Sequence, residues 1–161
     1  MNTRRLLGAL ALVVSLDAHA QLEQLYGTWK LLSFTRNVVA TGESANIFGT
    51  APMGFLSYGR DGRFSAIIVG DSRPKPADLS KLTDQERAEL FKTLIAYAGT
   101  FTVDGTQVVH HVDVSWNENW TGTSQPRNVK LEGKRLTISV DPQKGVDGKL
   151  ITSVLVWTKV E

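Results

Sequence analysis

The feature that most constrains the fold of this chain is an acidic residue followed by glycine, a pair that recurs between β-rich segments. The pairs are Asp61-Gly62, Asp104-Gly105, Glu132-Gly133 and Asp147-Gly148. Such pairs suit the positive φ values of tight hairpin turns, because glycine has no side chain to clash there. Their recurrence predicts a meander of about eight antiparallel strands, which can close into a barrel wide enough for one small ligand.

One segment interrupts this run of strands and predicts a helix at residues 83–96. Thr83 and Glu86 have the spacing of a capping box. Apolar residues follow at helical spacing, and Gly99 is a plausible stop. The apolar residues are Leu90, Phe91, Leu94 and Ile95. We therefore predict an all-β fold, an antiparallel up-and-down β-barrel of about eight strands with one α-helix inserted after the third strand.

The strand at residues 107–116, QVVHHVDVSW, decides which polar side chains could enter the barrel. Side chains alternate between the two faces of a strand, so adjacent histidines face opposite sides. One face is apolar apart from a histidine and is predicted to point inward. It carries Val108, His110, Val112, Val114 and Trp116. The other face, with His111 and Asp113, is predicted to meet solvent.

Residues 1–20 have the pattern of a secretory signal peptide. Two arginines precede a short apolar run, and Ala18-His19-Ala20 is a small-x-small cleavage site. The apolar run is too short to span a bilayer. We therefore expect cleavage after Ala20, a periplasmic or secreted protein, and a single barrel domain at residues 21–161.

Composition and motifs argue against several other classes of function. The formal net charge is only +2, whereas a nucleic-acid surface needs clustered positive charge. The chain has no cysteine, so it has neither a disulfide framework nor a thiol nucleophile. It also lacks a G-x-S-x-G motif and a glycine-rich phosphate loop. His111 and Asp113 have a spacing that suits one metal, but two ligands are too few. We predict no metal and no cofactor.

Several segments, taken in order, resemble the lipocalin-like domain proteins of bacteria and fungi. Gly27-Thr28-Trp29 is similar to the G-x-W motif of lipocalins. The other segments are GFLSYGRDGRFSA, AYAGTFTVDG, VVHHVDVSWNENWTGTSQPR and VLVWTKV. The resemblance implies a calycin-type barrel that binds a small molecule. It also implies that a basic residue near the last strand, here Lys159, packs over Trp29.

Two polar residues predicted to face the interior are the main candidate ligand contacts. A buried neutral His110 offers one donor and one acceptor, which serve a ligand, a proton transfer or a neighbouring core hydroxyl. Arg127 alternates with Gln125, Val129 and Leu131, and a buried guanidinium needs a partner. That partner is an acidic side chain, an anionic ligand oxygen, or a tryptophan ring at the barrel end.

Aromatic residues are the secondary candidates. Tyr58, Tyr97 and Trp120 are predicted as further walls of the ligand site, with ordinary packing as the alternative for each. Trp116 and Trp120 bracket a short polar segment and form an aromatic wall at the mouth, part of the core or a staple of the loop. Trp29 is predicted to be structural.

These features predict a protein that binds a small, mostly apolar molecule with one polar or acidic end inside the barrel. The first alternative is an isomerase or cyclase of the same shape, with His110 as general acid or base and Arg127 stabilising an oxyanion. The second is an exported interaction module with a filled barrel and exposed apolar residues on its outer strands. We predict neither a nucleic-acid partner nor a membrane-spanning segment.

Overall fold

The computed structural model describes residues 22–145 and 148–160. The predicted signal peptide and Asp147 lie outside the described residues. The strands are β1 (Gly27–Val38), β2 (Ser44–Asn46), β3 (Met53–Tyr58), β4 (Arg63–Val69), β5 (Leu94–Asp104), β6 (Gln107–Ser115), β7 (Ser124–Glu132), β8 (Arg135–Lys144) and β9 (Leu150–Lys159). The helix α1 spans Asp84–Lys92, and 3₁₀ turns occupy Leu79–Lys81 and Glu118–Trp120.

Eight of these strands close into an antiparallel barrel, which confirms the predicted fold class. Around the ring, β1 is followed by β3 to β9 in chain order, and pairing of β9 with β1 closes the sheet. The short strand β2 lies outside the ring, where it pairs with the last part of β1. The helix α1 lies between β4 and β5, after the third strand of the ring, as predicted.

Three of the four acidic-glycine pairs mark hairpin turns at one end of the barrel. Gly62, Gly105 and Gly133 have φ values of 78°, 55° and 61°, which glycine adopts without strain. The Asp61 carboxylate adds to its turn by accepting a hydrogen bond from the backbone amide of Arg63 at 3.1 Å. The longer connections, at residues 39–52, 70–93 and 116–123, lie at the opposite end, which we call the loop end.

The end with the short turns is closed by the segment that leads into β1. Residues 22–25 form a helical turn, and both Leu25 and Trp29 are fully buried. The Trp29 indole donates a hydrogen bond to the Leu25 carbonyl at 2.8 Å. The Lys159 ammonium lies 5.0 Å from the centre of the Trp29 ring and donates to the Gln24 carbonyl at 2.7 Å. The expected packing of Lys159 on Trp29 is therefore confirmed, and Trp29 is a structural residue.

The helix is shorter than its sequence pattern predicted. The capping box is present, since the Thr83 amide donates to Glu86 and the Glu86 amide donates to the Thr83 hydroxyl. However, α1 ends at Lys92, and Leu94 already pairs with Val69 of β4. Pairing with β4, together with a hydrogen bond from the Trp116 amide to the Ala96 carbonyl, satisfies the backbone of this segment and overrides its helical pattern. The predictions of helix at 93–96 and of a stop at Gly99 are therefore wrong.

A β-bulge in β6 reverses the facing of its last residues. Ala98 pairs with Val114 and Gly99 with Val112, so Asp113 is an extra residue without a partner in β5. Such an insertion puts every later side chain of the strand on the face opposite to the one that strict alternation predicts. Val114 is accordingly 62% exposed, whereas Val112 is buried. The prediction of an inward face is correct as far as Val112 and wrong for Val114.

No helix in the described part of the chain combines the length and apolar character needed to cross a membrane.

Candidate functional site

A polar cluster lies inside the barrel around His110. This residue is 1% exposed and lies near the middle of β6, where it pairs with Phe101 of β5 and Gln125 of β7. Its Nε2 atom lies 2.8 Å from the Tyr58 hydroxyl, and its Nδ1 atom lies 3.1 Å from the Tyr97 hydroxyl. Both ring nitrogens of His110 are therefore engaged by tyrosines.

The two tyrosines extend this cluster along the barrel axis. Tyr58 is the last residue of β3, next to a short turn, and is 2% exposed. Tyr97 lies in β5 beside Ser115, the last residue of β6, and is half-buried. The hydrogen-bonded chain Tyr58–His110–Tyr97 consequently runs from the closed half of the barrel towards the loop end.

Aromatic rings hold the His110 imidazole in place. Phe64 of β4 stacks on it with ring centres 4.0 Å apart and planes at 15°. Phe101 packs on Tyr58 with centres 4.7 Å apart. The sequence reasoning did not single out Phe64 as part of the site. Its alternation with Ala66 and Ile68 in β4 was the signal that it faces the interior.

Arg127 of β7 is the second buried polar residue of the cluster and is 6% exposed. Its Nη1 donates to the Pro126 carbonyl at 2.9 Å, and its Nη2 lies 3.5 Å from the Gln125 side-chain oxygen. Its charge also acts on Tyr97, where it opposes the rise in pKa that burial causes. Among the described residues, no ion pair joins Arg127 to a carboxylate. The guanidinium is thus a buried charge surrounded by neutral partners.

Trp120 covers this charge from the loop end. It ends the 3₁₀ turn in the connection 116–123, and its ring centre lies 5.8 Å from the Arg127 guanidinium carbon. The Trp120 ring makes edge contacts with Tyr97 at 5.3 Å and Trp116 at 4.9 Å between ring centres. Trp116, Trp120 and Tyr97 are all half-buried, so this aromatic group borders both the polar cluster and solvent.

Burial and the Arg127 charge determine the protonation of the cluster. Burial, followed by the charge of Arg127, lowers the pKa of His110 well below its ordinary value of 6.5. Burial raises the pKa of Tyr58 well above 10.0. Burial also raises the pKa of Tyr97, although Arg127 opposes that rise. At neutral pH the imidazole and both phenols are therefore uncharged, and Arg127 carries the only charge among these groups.

The structure brings all the predicted site residues into one group. They are Tyr58, Tyr97, His110, Trp120 and Arg127. Their role as ligand contacts stays a prediction. His111 faces outward, where its ring nitrogens lie 3.0 Å from the hydroxyls of Thr102 and Ser124. The predicted opposite facing of the two histidines is therefore confirmed.

The outer wall of the barrel carries an apolar surface that reaches Tyr97 and Trp116. A groove of about 350 Å³ lies on β4 to β6. It is lined by Ser65, Ala66, Ile67, Ala96, Tyr97, Ala98, Val114, Ser115 and Trp116. Ile67 and Val114 are 57% and 62% exposed. Exposed apolar residues on the outer strands are one feature of the interaction-module alternative.

Comparison with known proteins places the chain in a family. A family model described as a lipocalin-like domain matches residues 26–160. The chain belongs to this lipocalin-like family. It is also 34% identical over 86 residues to the 4′-hydroxy-3′-methoxypropiophenone carrier protein ppsC of Aspergillus oryzae. That match covers 48% of this lipocalin-like chain and 78% of the fungal protein.

Proposed function

We propose that this lipocalin-like protein is a carrier for a small aromatic molecule whose polar end binds Arg127 and Tyr97. The observation that carries the proposal is the buried Arg127, which has no carboxylate partner among the described residues and is bordered by aromatic rings. Burying a guanidinium costs free energy that a neutral surrounding recovers only in part. A ligand oxygen with negative character would recover more of it.

The residues next to Arg127 favour an aromatic ligand. Trp120 contacts both Tyr97 and Trp116 edge to face. Such contacts between rings contribute about 0.5–1.5 kcal/mol each beyond the apolar area that they bury. A flat ring that entered from the loop end would meet these side chains before its polar end reached Arg127.

The fungal relative supports the same class of ligand. Its name describes a carrier of a phenolic aryl ketone, a molecule with one aromatic ring and oxygen atoms at both ends. A ring of that kind packs against the aromatic side chains around Trp120. An oxygen at either end of the molecule accepts hydrogen bonds from Tyr97 and Arg127. The resemblance concerns the class of molecule rather than that particular compound.

The surroundings of His110 favour binding over catalysis. Both of its nitrogens are already engaged by tyrosine hydroxyls, so neither faces a substrate. Its lowered pKa also makes the imidazole a weak base at neutral pH. We propose that His110 positions Tyr58 and Tyr97, and that Tyr97 and Arg127 contact the ligand.

On binding, Arg127 would exchange its contact with the Trp120 ring for a stronger hydrogen bond to a ligand oxygen. The contact with the Trp120 ring is worth about 0.5–2 kcal/mol, depending on how dry the site is. A hydrogen bond from a charged group to a ligand oxygen is worth about 1.5–3 kcal/mol. The exchange is therefore favourable if Trp120 moves aside or packs against the ligand ring.

The test is the affinity for 4′-hydroxy-3′-methoxypropiophenone, measured by quenching of tryptophan fluorescence. Arg127→Met keeps the apolar stem but removes the charge, and it should weaken binding about 10- to 100-fold. His111→Ala is the matched control, because His111 lies on the outer face. Equal affinities of Arg127→Met and wild type, with both proteins folded by circular dichroism, would contradict the assignment of Arg127.

We also propose that the carrier is exported, on the basis of the signal-peptide pattern in residues 1–20. Expression in a Gram-negative host should yield a periplasmic protein that begins at Gln21. The intact mass of that protein measures the cleavage directly. A full-length protein found only in the cytoplasm would refute export.

A further inference from the structure

We infer that the carrier selects a ligand whose inner end is a deprotonated oxygen, a phenolate or a carboxylate, bound by the Tyr97 hydroxyl and the Arg127 guanidinium. This inference rests on the proposed function and narrows its ligand class. It follows from where the protons of the Tyr58–His110–Tyr97 chain can lie.

The neutral imidazole of His110 has one N–H donor and one lone pair. One tyrosine must therefore donate to the ring, and the other must accept from it. The distances of 2.8 Å and 3.1 Å are compatible with either arrangement, so the surroundings of the two hydroxyls decide between them.

The Tyr58 hydroxyl is buried, and His110 Nε2 is its hydrogen-bond partner among the described residues. If Tyr58 accepted from Nε2, its own proton would be buried without an acceptor, which is costly. Tyr58 therefore donates to Nε2, and the N–H of His110 lies on Nδ1 and donates to Tyr97.

The Tyr97 oxygen accepts from His110 Nδ1 and experiences the positive charge of Arg127, so the Tyr97 proton is left for another acceptor. Tyr97 is half-buried and lies beside Trp120 at the loop end, where a ligand would enter. Arg127 also has only donors, and Pro126 and Gln125 occupy just part of its five N–H groups.

A site that offers donors and one positive charge recognises lone pairs and negative charge. It rejects a ligand whose inner group is itself a cation or only a donor. A deprotonated oxygen can accept from Tyr97 and Arg127 together and can neutralise the guanidinium charge. Trp120, which now covers that charge, contacts the guanidinium without neutralising it.

The test uses 4-hydroxyacetophenone, a phenol whose absorption spectrum changes on ionisation, with 4-methoxyacetophenone as a control that cannot ionise. Absorbance is recorded against pH for the phenol alone and in the presence of excess protein. We expect the bound phenol to ionise at least one pH unit lower than the free phenol, which corresponds to tenfold tighter binding of the anion. We expect the methyl ether to bind at least tenfold more weakly than the phenolate.

Substitutions show which residues cause the shift in the ionisation midpoint of the bound phenol. Arg127→Met should abolish the shift in the ionisation midpoint, and Arg127→Lys should restore part of it, because it restores the charge. Tyr97→Phe should reduce the shift. A midpoint shift that persists unchanged in Arg127→Met would overturn the inference.

The possible failures are distinguishable. If the wild-type protein binds the phenol in its neutral form, and binds the ether equally well, the inference is overturned and the aromatic carrier function stands. If neither compound nor 4′-hydroxy-3′-methoxypropiophenone binds to the folded protein, the inference and the proposed carrier function both fall.

Discussion

The neutrality of buried His110 should make the stability of the barrel depend on pH. In the folded protein its pKa is lowered well below 6.5, whereas in the unfolded chain it returns to about that value. Below pH 6.5 the unfolded chain therefore binds a proton that the folded protein does not bind. The contribution of this group to stability is complete above pH 6.5 and is lost as pH falls towards its folded pKa.

The size of this effect follows from the linkage between proton binding and folding. One such proton lowers the free energy of unfolding by up to about 1.4 kcal/mol per pH unit. Between pH 6.5 and about pH 5 the loss should reach about 1.5 kcal/mol. Asp71 and Glu86, whose pKa values are lowered from 3.8 and 4.5 by hydrogen bonds, lose their contributions only at more acidic pH.

Urea unfolding curves between pH 7.5 and about pH 5 measure this loss directly. His110→Gln keeps one donor and one acceptor but cannot titrate, so its unfolding free energy should fall less over this range. His111→Ala serves as the control, because it removes the adjacent outward-facing histidine. If wild type and His110→Gln show the same slope, His110 is not the buried neutral group that the structure describes.

The remaining predictions concern packing. Trp29→Ala should lower the free energy of unfolding by about 3–5 kcal/mol, since the ring is fully buried and also holds Lys159. An unchanged melting temperature would remove Trp29 from the core. Gly99→Ala should destabilise by about 1–3 kcal/mol, because its Cβ would overlap the backbone carbonyl of His111 at the bulge. Gly70→Ala is the matched control, since the nearest atom to its Cβ lies 3.6 Å away, and similar melting temperatures of the two variants would refute the clash.

The barrel was predictable because its signals are local. Each acidic-glycine pair specifies a turn with few alternatives, and period-two alternation specifies which face of a strand is apolar. The end of the helix was not predictable in this way, because Leu94 and Ile95 continue the helical pattern and their strand conformation depends on pairing with the edge of β4. The bulge at Asp113 likewise cannot be predicted from the sequence pattern of β6 alone.

The candidate site was predictable in its members but not in its contacts. The alternation of side chains along β6 was enough to place His110 inside the barrel and His111 outside, and both placements are confirmed. Nothing in the order of residues shows that Tyr58 lies within hydrogen-bond distance of His110, from which it is separated by 52 positions. The stacking of Phe64 on that imidazole was missed for the same reason.

The sequence by itself determined the turns and the eight strands of the ring, and it determined the inward side of β6 as far as the bulge, because these follow from backbone preferences and short periods. Only the tertiary structure decided that Tyr58, His110 and Tyr97 form one hydrogen-bonded chain that experiences the charge of Arg127. The physical reason is that closing the sheet brings β3, β5, β6 and β7 around one interior. There the free energy of each buried polar group depends on neighbours that are distant in the chain.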